Sequence, residues 1–124
     1  EVAAVAGLVT ALNWDRNLLT RLIELRYVSA FLAERAAYSF VGAVLCCCGS
    51  LSFHRADVVR AHLDDFENQR FLGRPATFGD DRRLTNYALS HGKVLFQDTA
   101  IAYTTVPERF RHYADTAKHI AAAR

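Results

Sequence analysis

The architecture of this chain can be predicted outward from Phe78-Gly-Asp-Asp-Arg-Arg-Leu-Thr-Asn-Tyr-Ala-Leu-Ser-His-Gly92, which a β-type segment, Val94 to Thr105, follows directly. Its apolar side chains recur at helical spacing and predict one buried face, formed by Leu84, Tyr87, Ala88 and Leu89. Two adjacent acids stand where a helix is usually capped, and Gly92 stands where a left-handed residue usually ends one. A helix that leads into a strand favours an α/β layered fold.

The rest of the chain continues this alternation. A Val- and Ala-rich strand is predicted over Val2 to Leu12, and a long helix to about Tyr38 follows a polar turn that Asn13, Asp15 and Asn17 can form or cap. The remaining predictions are a strand from Ala43 to Cys48, a break at Gly49-Ser50, a strand over Leu51 to His54, a helix over Ala56 to Phe66, a loop over Glu67 to Phe78, and a last helix from Pro107. No repeat, linker or domain boundary interrupts them.

The bulk composition excludes several classes of protein. The chain has 124 residues, 52% hydrophobic and 23% charged, which excludes a disordered or fibrous protein. Its 15 basic and 13 acidic side chains give a net charge of +2, without the basic stripe that a nucleic-acid partner requires. No apolar run reaches the roughly 18 residues of a membrane span. The start lacks an initiator Met and a basic n-region, so it is not expected to be a signal peptide. Because Met is absent throughout, we expect an excised segment.

All three cysteines are consecutive, Cys46, Cys47 and Cys48. In a strand, Cys46 and Cys48 face one way and Cys47 the other, so the three cannot converge on one metal ion. No Cys-x-x-Cys spacing or His partner accompanies them, and an adjacent trio does not resemble a disulfide framework. The prediction is therefore no metal site here, and small buried apolar side chains in a reducing compartment.

The acids Asp80 and Asp81 allow two interpretations. A carboxylate at a helix N-terminus is kept ionised by the helix dipole and can serve as a general base. An Asp at the start of a helix is also the commonest kind of cap, and from these residues alone the cap is favoured.

The surrounding blocks resemble family 2 glycosyltransferases. Residues 78–92 resemble the Gly-(Asp/Glu)-Asp-Arg-His-Leu-Thr block of hyaluronan and nodulation chitooligosaccharide synthases. Cys46-Cys-Cys-Gly-Ser-Leu-Ser-Phe-His-Arg55 resembles their Cys-Cys-Cys-Gly-Pro segment, and also the Phe-Phe-Cys-Gly-Ser segment of bacterial cellulose synthases. Leu19 to Ala37 and Ala100 to Pro107 fit the same family. The resemblance is collinear over residues 1–113, and residues 114–124 depart from it as a divergent, helical tail.

The resemblance implies the C-terminal part, incomplete, of a GT-A-type nucleotide-sugar transferase domain. The implied activity is inverting, processive β-transfer of a sugar, N-acetylglucosamine being favoured, from a UDP-sugar to a growing polysaccharide. Asp81 matches the family base, Asp80 a supporting acid and Arg82 an orienting residue, whereas Arg83 stands where the family has His. The segment beside the acceptor sugar matches Cys48, Gly49 and Ser50, the last of which replaces Pro.

Glycine in the Cys48–Ser50 segment would let the backbone approach a ligand closely. A tight strand-to-strand turn explains the same glycine without a ligand. Both explanations stay open at this point.

The family also needs parts that this sequence does not show. These are an upstream Asp-x-Asp that holds Mg²⁺ or Mn²⁺ on the diphosphate, a Gln-x-x-Arg-Trp block after Tyr113, and transmembrane helices that place the parent at the cytoplasmic face of the cell membrane. We therefore expect no cofactor to be bound by the residues present, and the chain alone to be inactive. The alternatives are a non-catalytic interaction or orphan domain derived from the family, and a transferase that adds a single sugar.

Overall fold

The computed structural model describes residues 1–71, 74–75 and 79–115, with the backbone alone at positions 71, 74 and 75. Strands and helices alternate along the chain, which confirms the predicted α/β class. Their order is β1 (Val2–Ala11), α1 (Leu18–Val28), a π-helical segment (Ser29–Arg35), α2 (Ala36–Phe40), β2 (Ser52–His54), α3 (Ala56–Ala61), α4 (Leu63–Glu67), β3 (Arg70–Phe71), β4 (Arg74–Pro75), α5 (Asp80–His91) and β5 (Lys93–Thr104). Residues 110–115 are helical.

The main sheet has three strands in the order β2-β1-β5. The central strand, β1, pairs antiparallel with β2 and parallel with β5. Because β1 lies between two partners and is covered on its faces, its small side chains are buried, as at Ala3, Ala4 and Ala6. Around them, the core gathers Val44, Cys47, Val58, Ala88 and Val94. This core packs α3, α5 and the cysteine segment against the sheet.

The long helix predicted after β1 is confirmed as a continuous helical run through α1, the π-helical segment and α2. A capping box starts it, since the Asn17 Oδ1 accepts from the Thr20 N–H at 3.0 Å and the Thr20 Oγ1 accepts from the Asn17 N–H at 3.1 Å. The π-helical segment was not predicted from the sequence. It ends at Arg35, whose side chain is used at the candidate site described below.

The predicted strand from Ala43 to Cys48 is wrong. Only Ala43 forms a bridge, with Val94, and the Val44 N–H donates to the Val94 carbonyl at 3.1 Å. Beyond Val44, side chains form the hydrogen bonds with backbone N–H and C=O groups that a neighbouring strand would otherwise form. The Cys47 N–H donates to a threonine on α5 and the Cys46 carbonyl accepts from an arginine. The segment is therefore held in place without joining the sheet.

Several predicted boundaries are corrected. The helix predicted over Ala56 to Phe66 breaks at His62, whose φ of −117° and ψ of 12° separate α3 from α4. Within the predicted loop, β3 and β4 pair antiparallel, and residues 72–73 and 76–78 lie outside the described residues. The last helix begins at residue 110 and not at Pro107. Of the divergent tail at 114–124, residues 116–124 lie outside the described residues.

Gly92 ends α5 as predicted, but in an extended conformation, with φ 164° and ψ −165°, so the left-handed prediction is wrong. The reason for glycine is close packing, because a Cβ at this position would lie 2.5 Å from the Glu1 carbonyl oxygen. On the predicted buried face of α5, Ala88 is fully buried and packs with Tyr87 and Leu89 against the core. This face also contains the fully buried Thr85.

Candidate functional site

Two of the sequence motifs meet in space, although they lie 32 residues apart in the chain. The Gly49 N–H donates to the Asp81 Oδ2 at 3.3 Å, joining the cysteine segment to the first turn of α5. We call this contact region, formed by Cys46–Ser50 and the start of α5, the junction. It brings the predicted acceptor residues and the predicted base into direct contact.

Thr85 fixes the two halves of the junction relative to one another. Its hydroxyl accepts from the Cys47 N–H at 2.8 Å and donates to the Asp81 carbonyl at 2.5 Å. Sequence reasoning missed this residue. The available signal was a hydroxyl on a face that is otherwise apolar, where a buried polar group must find partners.

The prediction that Asp80 or Asp81 caps α5 is wrong. The N-cap is Gly79, which is left-handed with φ 91°, and no side-chain hydrogen bond caps the helix. Asp80 is exposed and its Oδ1 accepts from the Gln69 Nε2 at 2.7 Å. Asp81 is half-buried, and no hydrogen bond from the described residues reaches its Oδ1. Both carboxylates therefore lie at the positive end of a helix without serving as its cap.

The Cys48–Ser50 segment forms an exposed turn, with a hydrogen bond from the Leu51 N–H to the Cys48 carbonyl at 3.2 Å. A Cβ added at Gly49 would meet only the Asp81 Oδ2, at 4.0 Å. The described fold therefore has room for a side chain where the sequence has none. A turn is present, but it follows the irregular cysteine segment and not a strand, and the space over Gly49 that the other interpretation expected is present as well.

Arg35 holds the opposite side of the cysteine segment. Its Nε donates to the Cys46 carbonyl at 3.1 Å and its Nη2 to the Cys48 Sγ at 3.0 Å, while the guanidinium lies 4.0 Å from the centre of the Phe31 ring. Helical periodicity in the sequence does not reveal the π-helical segment that ends at Arg35, so this contact was not predicted. A positive charge thus stands beside the thiols.

The three cysteines differ in environment. Cys47 is fully buried, and burial raises the pKa of its thiol. Cys46 and Cys48 are half-buried, and a hydrogen bond from the Cys48 thiol is the main cause that lowers the pKa of Cys46 to about 6. The same bond raises the pKa of Cys48. The predicted alternation of faces is thus present, but the expectation of buried apolar cysteines holds only for Cys47.

Cys46, Cys48 and Asp81 form a cluster that the sequence analysis did not foresee. Their sulfur atoms and a carboxylate oxygen all lie within 4.8 Å of one another. Only a site made by the three cysteines was excluded from the sequence, and the acid that completes the cluster comes from α5. Only the contact between the two motifs creates the cluster.

The two arginines after Asp81 have different surroundings. Arg82 is exposed, its charge contributes to the lowered pKa of Cys46, and it forms no ion pair within the described part of the chain. Arg83 forms an ion pair with Asp65 at 2.9 Å and donates to the Tyr87 hydroxyl at 2.7 Å. The orienting role of Arg82 stays a prediction.

Within residues 1–71, 74–75 and 79–115, none of the helices combines the length and apolar character needed to cross a lipid bilayer.

The sequence of this chain is similar to those of several known proteins. No protein-family model matches the chain. It is 46% identical over 112 residues to a protein named hyaluronan synthase from Streptococcus pyogenes, an alignment that covers 90% of this chain and 27% of the relative. It is 43% identical over 114 residues to an N-acetylglucosaminyltransferase of Neorhizobium galegae, covering 91% of this chain and 26% of that relative. An N-acetylglucosaminyltransferase of Rhizobium meliloti is 42% identical over 114 residues, with 91% and 27% covered.

The chain thus spans about a quarter of the length of these relatives, 27% of the first one. By sequence it is similar to a quarter-length segment of glycosyltransferases, those named hyaluronan synthase and N-acetylglucosaminyltransferase, and this confirms the resemblance predicted from its motifs.

Proposed function

We propose that this chain supplies the acceptor-side surface and the general base of an inverting, processive β-glycosyltransferase. In the whole protein, a sugar passes from a UDP-sugar, N-acetylglucosamine being favoured, to a growing polysaccharide. The observation that carries this proposal is the contact between the Gly49 N–H and the Asp81 carboxylate, which joins two motifs that are separate in sequence. Residues 1–113 then form the C-terminal part of a GT-A-type domain.

In the proposed reaction, Asp81 takes the proton of the acceptor hydroxyl. The hydroxyl oxygen attacks the anomeric carbon of the donor sugar, the bond from that carbon to the diphosphate breaks, and UDP leaves from the opposite face. The Gly49 N–H holds Oδ2, so Oδ1 is the oxygen available to accept the proton. A base must lie within hydrogen-bond reach of the proton that it removes, so the acceptor has to bind against the junction.

The exposed turn Cys48–Ser50 forms the surface on which that acceptor would lie. The open space over Gly49 lets sugar atoms approach the backbone, and the exposed Ser50 offers a hydroxyl for a polar contact. Asp80 supports the base by its negative charge, and Arg82 orients the two acids from the same helical turn. Cys48, Gly49 and Ser50 are therefore the proposed acceptor-binding residues.

The resemblance also implies a Mg²⁺ or Mn²⁺ ion on the diphosphate. These hard cations prefer oxygen ligands, whereas the cluster in the described residues contains two thiols. This cluster does not fit such an ion, and we propose that the ligands of the ion belong to a part of the whole protein outside this chain. Because leaving-group stabilisation is often the dominant contribution to such catalysis, the chain alone is proposed to be inactive. Membrane attachment at the cytoplasmic face is likewise proposed for the whole protein.

A chimera tests this proposal. The aligned 112 residues of the Streptococcus pyogenes hyaluronan synthase would be replaced by the corresponding residues of this chain. The measurement is incorporation of labelled sugar from UDP-sugars into polymer by membranes that contain the chimera. We expect polymer synthesis from the chimera and none from this chain alone. A chimera that reaches the membrane intact but makes neither polymer nor a single-addition product would favour the non-catalytic domain instead.

A further inference from the structure

We propose that Cys46, Cys48 and Asp81 form a binding site for a thiophilic divalent cation, with Zn²⁺ as its representative. Nothing in the sequence motifs assigns a metal ion to these residues. The proposal starts from the distance between their ligand atoms, which lie within 4.8 Å of one another on the half-buried side of the junction.

The geometry requires only a small adjustment. In a tetrahedral zinc site with bonds of about 2.3 Å to sulfur and about 2.0–2.2 Å to oxygen, ligand atoms are separated by about 3.5–3.8 Å. From separations of at most 4.8 Å, the side chains must therefore move together by roughly an ångström. Rotation about the side-chain bonds of Cys46 and Asp81 can supply this movement. The open space over Gly49 leaves room for water as the fourth ligand.

The charges around the cluster also favour a divalent ion. Two thiolates and one carboxylate carry three negative charges, and Arg35 lies against the Cys48 sulfur at 3.0 Å. A divalent cation together with Arg35 neutralises the site. The Arg35 N–H can keep its bond to the sulfur after metal binding, as outer-shell donors commonly do. Two sulfur ligands select a borderline-soft cation such as Zn²⁺ over Mg²⁺ or Mn²⁺.

A cation at this site would inactivate the proposed base. Asp81 cannot accept the proton of the acceptor while its carboxylate is a metal ligand, so Zn²⁺ would inhibit transfer. This consequence rests on the proposed function, whereas binding of the ion does not. If the chain binds Zn²⁺ but its chimera makes no polymer, the proposed enzymatic function is refuted and the proposed metal site is not.

Binding is tested first on the unmutated chain. Cd²⁺, which replaces Zn²⁺ at thiolate sites, is titrated while the thiolate-to-metal charge-transfer absorbance is followed, and Zn²⁺ affinity is measured by competition with a chromophoric chelator. In parallel, alkylation followed by mass spectrometry identifies the thiols that Zn²⁺ protects. We expect one ion per chain, absorbance for two thiolates, and protection of Cys46 and Cys48. Absorbance for no thiolate or for three, or unchanged alkylation of Cys46, would overturn the site.

Variants then assign the ligands, and Cys47→Ala provides a matched control because Cys47 faces the buried core. Cys46→Ser, Cys48→Ser and Asp81→Asn should each weaken Zn²⁺ binding by about 10–100-fold or more, since losing an outer-shell partner already costs that much. Cys47→Ala should leave the affinity within about twofold, well below that range. Equal losses in Cys47→Ala and Cys46→Ser would refute the assignment. Circular dichroism establishes that each variant is folded before its affinity is compared.

Discussion

Two polar regions of this molecule differ in how many of their hydrogen-bond donors and acceptors are paired within the fold. At the Asn13 corner, where β1 ends, the buried Asn13 side chain accepts from the Val106 N–H at 2.9 Å and donates to the Val106 carbonyl at 2.9 Å and the Glu108 Oε1 at 3.0 Å. At the junction, Asp81 accepts one bond of 3.3 Å from Gly49 and keeps an oxygen free of described partners. A buried amide with all its partners in the fold stabilises the fold, whereas a half-buried carboxylate with spare capacity is available to a ligand.

The position of each region agrees with this difference. The Asn13 corner ties the end of β1 to the chain beyond β5, 93 residues away, and packs beside the small core of Ala11, Ile23 and Val106. The junction, in contrast, lies at the surface, where an exposed turn packs against the start of α5. Substitution of Asn13 should therefore change stability, whereas substitution of Gly49 or Asp81 should change chemistry more than stability.

The largest effect on stability is expected from Asn13→Ala. It removes three hydrogen bonds and leaves the Val106 N–H and carbonyl unpaired in a buried site, so the free energy of unfolding should fall by about 2–4 kcal/mol. Urea denaturation of the chain measures this change. Asn86→Ala, at an exposed position of α5, is the control and should change it by no more than about 0.5 kcal/mol. A loss below that value for Asn13→Ala would contradict the assignment of the corner as structural.

A smaller loss of stability is expected from Thr85→Val, which keeps the shape of the side chain and removes its hydroxyl. The buried Cys47 N–H then loses its acceptor, at a cost of about 1–3 kcal/mol. Hydrogen exchange of the Cys47 amide should accelerate, and urea denaturation should show the loss. Thr85→Ser retains the hydroxyl and should keep the amide protected. Equal exchange rates in the two variants would exclude Thr85 as the residue that fixes the junction.

Gly49→Ala separates the two effects, because it should change the stability of the chain little and polymer synthesis by the chimera more. The new Cβ meets only the Asp81 Oδ2 at 4.0 Å, so unfolding should change by less than about 1 kcal/mol. In the chimera, however, the methyl group occupies the space proposed for the acceptor, and polymer synthesis should fall. Gly92→Ala is the contrasting variant, since its Cβ would lie 2.5 Å from the Glu1 carbonyl, and it should cost about 1–3 kcal/mol. If Gly49→Ala destabilised as much as Gly92→Ala, the glycine would be a packing requirement.

The last prediction concerns the thiol pair Cys46 and Cys48, whose pH dependence is best followed by reactivity. Since the pKa of Cys46 is lowered to about 6, its alkylation rate should rise through a midpoint near that pH. The sign for stability follows from the lowered pKa. The stabilisation that the Cys46 thiolate gives the fold is fully present above the ordinary pKa of a thiol. It is lost as the pH falls through about 6. Cys48→Ala removes the hydrogen bond and should move the alkylation midpoint upward. An unchanged midpoint would show that another group lowers this pKa.

The predictable part of the molecule was the part that depends on local pattern. Composition predicted β1 and β5, helical spacing of apolar residues predicted the helical run after Asn17 and α5, and the family blocks pointed to the Cys48–Ser50 segment and Asp81. The Ala43–Cys48 strand was predicted wrongly because its apolar composition matches a strand, while Arg35 and Thr85 supply the hydrogen bonds of the segment from elsewhere. Composition does not reveal such distant partners.

The same limit applies to Asn13 and to the cluster of Cys46, Cys48 and Asp81. Asn13 was interpreted as a turn or capping residue, which is its commonest local use, and its pairing with Val106 depends on a contact 93 residues away. Cys46, Cys48 and Asp81 become neighbours only when the two motifs meet. The candidate residues could therefore be named from the sequence, whereas the hydrogen bonds that position them depend on the fold.

We propose that Asp81 acts in chemistry and not in folding, and Asp81→Asn in the chimera tests this role most directly. The initial rate of polymer synthesis and the free energy of unfolding of the chain are measured for this variant and for Asp64→Asn, an exposed acid in the first turn of α4. We predict a rate about 10²–10⁴-fold lower for Asp81→Asn, the usual contribution of a positioned base, with stability within about 1 kcal/mol of the parent. Asp64→Asn should keep both values. A rate for Asp81→Asn within about tenfold of the parent would contradict the account.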